Sequence, residues 1–385
     1  MRSPSTGRVE VPFSARFHFA RSGRNPDGKL VEGLRMVRTG ITTAGRGVGA
    51  PTVPRRRGQA SVMGSRRAGV TVNFDHRPVM VDEVVGILSG VPAGVVLDAT
   101  VGGGGHAAAL LDAAPHISVV GLDQDPEAVA AAAALLAPYG ARATVVRSRF
   151  DRLGEVLDDL GVGRLAGALF DLGVSSPQLD RGDRGFSYRA DAALDMRMDP
   201  SGPSTAADVV NGWSEQELAW LFRDHGEARF ARRIARAVVA ARPLSSTAQL
   251  AEVVRAAIPA AARRTGGHPA RRIFQAVRVA VNEELDILPD AIDATIDRLQ
   301  PGGRCVVLSY HSGEDRIVKD RFRAAATGDC VCPPGLPCVC GAQPTVRLLN
   351  RGSRKPSASE VNANRRAESA RLRAIERLAD EGGGQ

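Results

Sequence analysis

Short apolar runs alternate with alanine- and leucine-rich stretches of helical character from about His76 onward. The apolar runs predict five strands: Val95 to Leu97, Val119 to Leu122, Ala143 to Val146, Ala166 to Phe170 and Arg304 to Leu308. Strands that alternate with helices in this way are typical of a parallel α/β sheet. We therefore predict an α/β fold built on a doubly wound, Rossmann-like sheet.

A long stretch without strand signals separates the fourth predicted strand from the fifth. Residues 188–267 carry helix signals only: capping boxes at Ser214 to Glu217 and Ser246 to Gln249, a stop at Gly226 and a helix end near Pro259. The stretch is too long for a single crossover helix. We interpret it as an inserted helical subdomain that emerges beside the ligand-binding end of the sheet and covers or extends the substrate cleft.

The first predicted strand ends at Asp98 and leads into a glycine-rich turn, Gly102 to Gly105. Glycines at such a turn let the main chain approach a nucleotide-like ligand without Cβ clashes. The second strand ends at Asp123, about 20 residues later, which is the spacing expected for a carboxylate that binds ribose hydroxyls.

Two cofactors fit this turn, and an ordinary strand–turn–helix without a ligand is a third interpretation. A nicotinamide dinucleotide fingerprint can be placed on Gly102, Gly104 and Ala107. Asp98 argues against it, because a carboxylate beside a pyrophosphate places two anions together in a partly desolvated site. S-adenosylmethionine carries a sulfonium and an ammonium and no phosphate, so the sequence favours the methyl donor.

The fourth predicted strand delivers Asp171 into the same cleft. A carboxylate there could accept an N–H bond from the exocyclic amine of cytosine or adenine, whose lone pair is delocalised into the ring. We therefore take Asp171 as the candidate catalytic residue. A structural cap for the following turn is the alternative.

The net charge of +9 is unevenly distributed along the chain. Residues 1–70 hold 13 Arg and 1 Lys against 3 acidic residues, a net +11, whereas the remainder is close to neutral at −2. The first segment is rich in Gly, Arg and Ser without hydrophobic periodicity, so we predict a disordered basic tail, with a transit peptide as the alternative. A nucleic-acid surface on the folded part must then be a local patch.

One such patch is an arginine stripe at helical spacing, opposite Phe230, Ile234 and Val238. The stripe consists of Arg229, Arg232, Arg233 and Arg236. Guanidinium groups suit phosphate contacts, so the stripe is a candidate RNA-binding surface. A solvated helix face with salt bridges inside the chain is the equally weighted alternative.

The cysteines indicate a reducing compartment, and the chain has no run of 18 apolar residues, so we expect a cytoplasmic protein without membrane contact. Cys305 lies in an apolar strand. The others form a cluster in residues 330–340, at Cys330, Cys332, Cys338 and Cys340. Structural zinc usually prefers a gap of two residues, so we predict no metal ligand and favour a redox-active or loop-forming cluster, with zinc as the alternative.

Several long motifs closely resemble the bacterial ribosomal RNA small-subunit methyltransferase H family, also called MraW. The motifs are Asp171-Leu-Gly-Val-Ser-Ser-Pro-Gln-Leu-Asp180, Arg184-Gly-Phe-Ser187, Leu194-Asp-Met-Arg-Met-Asp199, His268-Pro-Ala-Arg-Arg-Ile-Phe-Gln-Ala-Val-Arg278 and Ser309-Tyr-His-Ser-Gly-Glu-Asp-Arg-Ile-Val-Lys319. The resemblance runs from about His76 to the end of the chain. The sequence departs from it at Gly313, where the family commonly has Leu, which suggests a more flexible loop.

This resemblance implies a Rossmann-like class I S-adenosylmethionine-dependent methyltransferase core with an inserted helical subdomain. It implies N4-methylation of a cytidine in the decoding region of 16S ribosomal RNA, within the 30S subunit. The cofactor contacts that it implies are Gly104, Gly105, His106, Asp123, Phe150, Asp171 and Gln178. The predicted organisation is a tail (1–70), a first core part (71–187), the insert (188–267) and a second core part with the Cys-rich loop and a basic C-terminal segment (268–385).

Two other functions remain open from the residues alone. A DNA amino-methyltransferase uses the same amine chemistry, but such enzymes commonly carry Pro-Pro-aromatic after the acid of strand 4, where this chain has Leu-Gly-Val after Asp171. A ribosome-assembly factor that binds the methyl donor or RNA without turnover is the alternative from another class. Methyl transfer to isolated 30S particles would separate these functions.

Deletion of residues 1–70 should lower nonspecific RNA affinity and its salt dependence, because this segment holds all the excess positive charge. Methyl transfer to the correct site should remain nearly intact. RNA-binding titrations at several salt concentrations, with turnover measured at saturating substrate, check this expectation. A truncated protein that folds but loses turnover would contradict the predicted domain boundary.

Overall fold

The computed structural model describes residues 78–175, 178, 181–225, 229–263, 268–333 and 337–379. The predicted tail, residues 1–70, and the predicted helix stop at Gly226 lie outside the described residues. The described residues all belong to one contact unit, Val72–Gln385. Within these ranges, no helix combines the length and the apolar character needed to cross a bilayer.

The strands are β1 (Gly94–Asp98), β2 (Ile117–Asp123), β3 (Ala143–Arg147), β4 (Leu165–Asp171), β5 (Leu299–Ser309), β6 (Val346–Leu348) and β7 (Arg371–Arg377). The helices before the fifth strand are α1 (Val81–Leu88), α2 (Gly105–Ala113), α3 (Pro126–Leu136), α4 (Leu153–Asp159), α5 (Ala206–Gly212), α6 (Glu215–His225), α7 (Ala231–Ala240), α8 (Thr247–Ala257), α9 (Ala260–Arg263), α10 (Ala270–Asn282) and α11 (Glu284–Arg298). After it follow α12 (Ser312–Thr327) and α13 (Ala358–Ala363), and short 3₁₀ turns lie at Ala137–Arg142, Phe150–Arg152, Gly182–Arg184 and Arg365–Ser369.

The strands form one seven-stranded sheet in the order β3-β2-β1-β4-β5-β7-β6. The first five are parallel, and β7 runs antiparallel to both β5 and β6. This order, with an antiparallel seventh strand, is that of class I methyltransferases, so the predicted fold class is confirmed. All five predicted strands are present, whereas β6 and β7 were not predicted.

The sheet is buried on both faces. In β4 every residue except the last, Asp171, is buried, as expected for a central parallel strand covered by helices. One apolar cluster packs α1 and α2 against the first face, and another packs α4 and α11 against the second. Because the parallel strands share one direction, the carboxyl ends of β1, β2, β4 and β5 meet at one edge of the sheet.

The helices between β4 and β5 have their own apolar cluster, which runs from Phe186 to Val277. The capping boxes at both predicted positions are present: Ser214 and Glu217 exchange hydrogen bonds before α6, and Ser246 and Gln249 do so before α8. Ile273 and Phe274 of α10 belong to the same cluster, so the helical unit as packed continues past residue 267.

Asn282, at the end of α10, holds the turn at Met196 and Met198 against this helix. Its buried amide donates to the carbonyl groups of Met196 and Arg278, both at 2.9 Å, and accepts the N–H of Met198 at 2.8 Å. Met196 has a left-handed backbone conformation with a φ of 59°. The amide therefore holds a strained turn against α10.

Asn282→Ala should lower the free energy of unfolding by about 2 kcal/mol, because it leaves buried main-chain groups of Met196 and Met198 without partners. Urea unfolding with an unchanged m-value would measure this loss. Asn362, which is exposed on α13, is the matched control, and its change to Ala should cost less than about 0.5 kcal/mol. Equal stability of the two variants would contradict the assigned role of the amide.

Candidate active site

A cleft of about 1210 Å³ opens at the carboxyl ends of the parallel strands, between the sheet and the helical unit. Most of the predicted cofactor contacts line it: Gly105, His106, Asp123, Phe150, Asp171 and Gln178. Gly104 does not line it, and a Cβ at this position would lie 3.2 Å from Cα of Ala132 in α3. The topology therefore brings together residues that lie more than 70 positions apart in the sequence.

Backbone conformation and close packing favour glycine at two positions of the turn, Gly104 and Gly105. Gly104 has a φ of 87°, which side chains rarely adopt, and it caps the start of α2. A Cβ at Gly105 would lie 2.6 Å from Cγ of Pro78, so the chain before α1 packs directly on this residue. The sequence signal for the turn thus reflects backbone geometry as well as ligand access.

Two amides of this turn already donate within the protein. The N–H of Gly102 donates to Oδ2 of Asp123 at 3.0 Å, and the N–H of Gly104 donates to the carbonyl of Val101 at 2.8 Å. A pyrophosphate would need such amides and would meet the Asp123 carboxylate instead. The turn therefore fits a ligand without phosphate, such as S-adenosylmethionine, better than a dinucleotide.

Asp123 is fixed at the end of β2 by main-chain donors. Its Oδ1 accepts the N–H of Asp125 at 2.9 Å, in addition to the bond from Gly102. Burial raises the pKa of Asp123 to about 6, and the two amide bonds oppose that rise. The carboxylate is thus oriented on the cleft wall with lone pairs left for a ligand.

Asp98 lies below the cleft, not in it. Its side chain is 1% exposed, and Oδ1 accepts the N–H of Thr100 at 3.3 Å. Burial raises the pKa of Asp98 to about 8, and the nearby carboxylates of Asp171 and Asp123 add to the rise. The argument from sequence placed the Asp98 carboxylate beside the ligand, and that placement is wrong, because the residue is buried and does not line the cleft.

Asp171 sits at the centre of a polar network on the cleft floor. Its main-chain N–H donates to the Thr100 hydroxyl at 2.6 Å, and its Oδ1 accepts the Tyr310 hydroxyl at 2.7 Å. Its Oδ2 lies 3.6 Å from Nδ1 of His106. The end of β4 is thus tied to the loop after β1, to the end of β5 and to α2.

His106 is held beside Asp171 by its other ring nitrogen. Nε2 of His106 lies 3.0 Å from the carbonyl of Val79, which only accepts, so Nε2 carries hydrogen. Nδ1 then faces the Asp171 carboxylate at 3.6 Å, which is longer than a hydrogen bond. Burial raises the pKa of Asp171, while His106 and the Tyr310 hydrogen bond oppose the rise.

Gln178 holds the segment after β4 against α3. Its Nε2 donates to Oδ2 of Asp125 at 2.9 Å, and its Oε1 accepts the N–H of Ser175 at 3.0 Å. Arg184 donates to the same Asp125 oxygen at 2.9 Å. Gln178 therefore shapes the cleft wall, whatever further contact it makes.

Phe150 lines the cleft after β3 and packs edge-to-face on Phe170, with ring centroids 5.9 Å apart. Its position is that of an apolar wall. On the opposite side, Tyr188 stacks on His268 at 4.5 Å and meets Phe274 edge-on at 6.0 Å. Both Tyr188 and Phe274 also line the cleft, so it offers aromatic surfaces from the sheet and from the helical unit.

The arginine stripe lies away from the cleft. Its members are exposed on or next to α7, and none of them lines the cleft. Arg229 packs on the Phe230 ring at 5.0 Å, and Arg236 lies 3.5 Å from Glu215. Ile234 and Val238 are buried on the other side of the helix as predicted.

Sequence reasoning assigned no role to several cleft residues that the structure brings together. Tyr310 follows β5, and Glu314 accepts the N–H groups of Tyr310 and His311 at 2.7 and 3.2 Å. Arg278 forms a bidentate ion pair with Glu284 across the cleft wall, with both N–O distances at 2.9 Å. Arg278, Tyr310 and Glu314 lie within the motifs quoted above, but those motifs did not show what the side chains contact. Glu284 had no signal other than its place beside the α10–α11 junction.

Gly313 belongs to the first turn of α12, so the expected flexible loop is not present there. A Cβ at this position would lie 3.0 Å from Cδ1 of Leu285 and 3.1 Å from the His311 ring. The glycine thus lets α12 begin close to α11.

The comparisons with known proteins cover the sheet and the helical unit alike. The model of the MraW methylase family matches residues 73–378. Ribosomal RNA small subunit methyltransferase H from Heliobacterium modesticaldum is 50% identical over 311 residues, 79% of this chain and 99% of the relative. The protein of that name from Acidothermus cellulolyticus is 54% identical over 312 residues, 79% of this chain and 94% of the relative. A solved rRNA methylase from Streptococcus thermophilus aligns with 77% of this chain and 93% of its own at 13% identity, with a TM-score of 0.34.

Asp123→Ala should weaken S-adenosylmethionine binding by about 10- to 100-fold, because it removes a charged acceptor for ribose hydroxyls. Calorimetric titration measures the dissociation constant, and thermal melting checks that the fold survives. Asp159, an exposed acid outside the cleft, provides the control, and its change to Ala should leave binding unchanged. An unchanged constant for Asp123→Ala would overturn the assignment.

Proposed function

Since this chain belongs to the MraW methylase family, we propose that it transfers a methyl group from S-adenosylmethionine to N4 of a cytidine in the decoding region of 16S ribosomal RNA. The relatives named above are small-subunit ribosomal RNA methyltransferases, which supports the RNA and the subunit as substrate. The cytoplasm, where small subunits are assembled, is then its proposed location. The nucleotide and the atom that receive the methyl group are those that the family resemblance implies, and the chemistry of the cleft supports an exocyclic amine as the acceptor.

Several cleft residues would hold the methyl donor. Asp123 suits the ribose hydroxyls, Phe150 suits the adenine ring, and the glycine turn with His106 borders the space between them. The donor supplies an electrophilic methyl group. The Gly102 amide, which already donates to Asp123, and the nearby carboxylates favour this cationic ligand over a phosphate.

The observation that carries the proposal is the Asp171 carboxylate, held on the cleft floor by Tyr310 at 2.7 Å. An exocyclic amine donates an N–H, and an oriented carboxylate oxygen can accept it and direct the amine lone pair towards the methyl carbon. N4 would then form a bond to the methyl carbon as the donor's carbon–sulfur bond breaks and leaves a neutral thioether, and N4 would give up one proton. Burial raises the pKa of Asp171, which suits this carboxylate to take up that proton.

The target base must unstack from its neighbours in the RNA to reach the Asp171 carboxylate on the cleft floor. The aromatic wall of Tyr188 and Phe274 suits a flat, extruded base. Exposed arginines at the cleft rim, Arg189, Arg271 and Arg365, suit the flanking phosphates. We propose the arginine stripe of α7 as a second RNA contact outside the cleft, which fits a substrate as large as a ribosomal subunit.

Asp171→Asn should lower single-turnover methyl transfer to 30S subunits by about 100-fold at saturating S-adenosylmethionine, because an oriented charged acceptor is lost. Binding of the donor should change much less. The rate is measured with the donor far above its own dissociation constant for each variant. Mass analysis of the nucleosides should identify N4-methylcytidine as the product.

Tyr310→Phe serves as the graded comparison, because it removes the hydroxyl that orients Asp171 and keeps the carboxylate. Its rate should fall between those of the parent protein and Asp171→Asn. A parent-like rate for Asp171→Asn at saturating donor would leave Asp171 as a binding residue only. Methylation at another atom or another base would overturn the proposed target.

A further inference from the structure

The segment between α12 and β6 has no apolar core of its own. Phe322 and Val346 are each 1% exposed, but no described residue between them is buried. The described residues from 330 to 345 also form no helix or strand. An irregular segment of this length inside a domain needs some other interaction to fix its shape.

The four clustered cysteines lie together in this segment. Their sulfur atoms all fall within 4.8 Å of one another. The Sγ of Cys330 lies 3.5 Å from that of Cys338 and 3.6 Å from that of Cys340, and Cys338 and Cys340 are 3.5 Å apart. Two Cys-Val-Cys arms therefore converge on one point.

These distances match a tetrahedral metal site. A zinc–sulfur bond of about 2.3 Å places the corners of a regular tetrahedron about 3.8 Å apart. A disulfide would bring two sulfur atoms to about 2.0 Å, and the four cysteines of this cluster are all free. A cluster with several irons would spread the thiolates bound to different irons further than the observed separations.

The one-residue gap in each arm is compatible with both cysteines of the arm facing the same point. In an extended segment, residues i and i+2 point to the same side and the residue between them points away. Val331 and Val339, the middle residues, are 85% and 89% exposed, which is unusual for valine. The valine side chains thus face solvent, while the four thiols face one another.

We propose that Cys330, Cys332, Cys338 and Cys340 bind one zinc ion as four thiolates, and that the ion takes the place of a core for this segment. The thiols release their protons to solvent as the metal binds. The N–H of Val339 lies 3.4 Å from Sγ of Cys332, a contact that suits a thiolate acceptor. This site reverses the prediction of no metal ligand, which rested on spacing alone.

The proposed zinc site is structural and separate from the cleft. None of its cysteines lines the cleft, and with four protein ligands it leaves no open position for a substrate. Removal of zinc should therefore loosen residues 328–345 without changing the affinity for S-adenosylmethionine. The zinc proposal and its test do not depend on which RNA nucleotide the protein methylates.

Elemental analysis of the full-length protein, purified under reducing conditions without chelator, should find about one zinc per chain. The double change Cys338→Ser with Cys340→Ser should reduce the zinc content to background. Val331→Ala, between two of the ligands, is the matched control and should keep the zinc. Both variants retain Cys305, which is buried in β5 and serves as an internal reference thiol.

Two further measurements separate this site from the alternatives. Cobalt substitution should give the absorption of a tetrahedral thiolate site, and chelation should make residues 328–345 sensitive to limited proteolysis while calorimetric binding of S-adenosylmethionine stays unchanged. A metal-free parent protein with reactive thiols or disulfides in the cluster would overturn the proposal. Stoichiometric iron, or full zinc content in the double variant, would overturn it as well.

Discussion

The Asp171 carboxylate and its hydrogen bonds tie the ends of the central strands into one site. The residue ends β4, its N–H reaches the loop after β1, its carboxylate accepts from Tyr310 after β5, and it faces His106 on α2. Partial removal of an acid from water carries a desolvation cost, and these partners offset that cost for Asp171. The alignment of the strand ends therefore depends on the same contacts that position the proposed acceptor.

Carboxylates dominate this edge of the sheet, and their burial sets what the cleft can accept. Asp98, Asp123 and Asp171 have raised pKa values, chiefly because they are buried, with neighbouring carboxylates adding to the rise at Asp98. A cationic ligand would attract the ionised acids and offset the cost of their burial, whereas a phosphate would repel them. The preference for a sulfonium donor thus follows from the sheet edge as a whole and not from one acid.

The helical unit and the cysteine segment extend the sheet in two different ways. The helical unit buries its own apolar cluster and carries aromatic and basic side chains to the cleft, with Asn282 locking it to the turn at Met196. The cysteine segment has no such cluster, and its sulfur atoms converge instead. The apolar core of the helical unit suits its place as one wall of the cleft, which must hold a substrate. The proposed zinc ion would be enough to fix the short cysteine segment at the surface.

The sequence by itself determined the parallel strands, the capped helices and the cofactor turn, because these depend on local periodicity, capping residues and glycines. It did not reveal β7, because the arginines along this strand suggested only a basic C-terminal segment. In the structure β7 pairs with its neighbouring strands, and Leu372 and Ile375 are buried. The sequence also misplaced Asp98, since the side of a strand that faces the cleft is set by packing. Only the tertiary structure decided the partners of Asp171, because these contacts join residues that are distant along the chain. It also decided that the two cysteine arms meet, because that depends on how the segment turns back on itself.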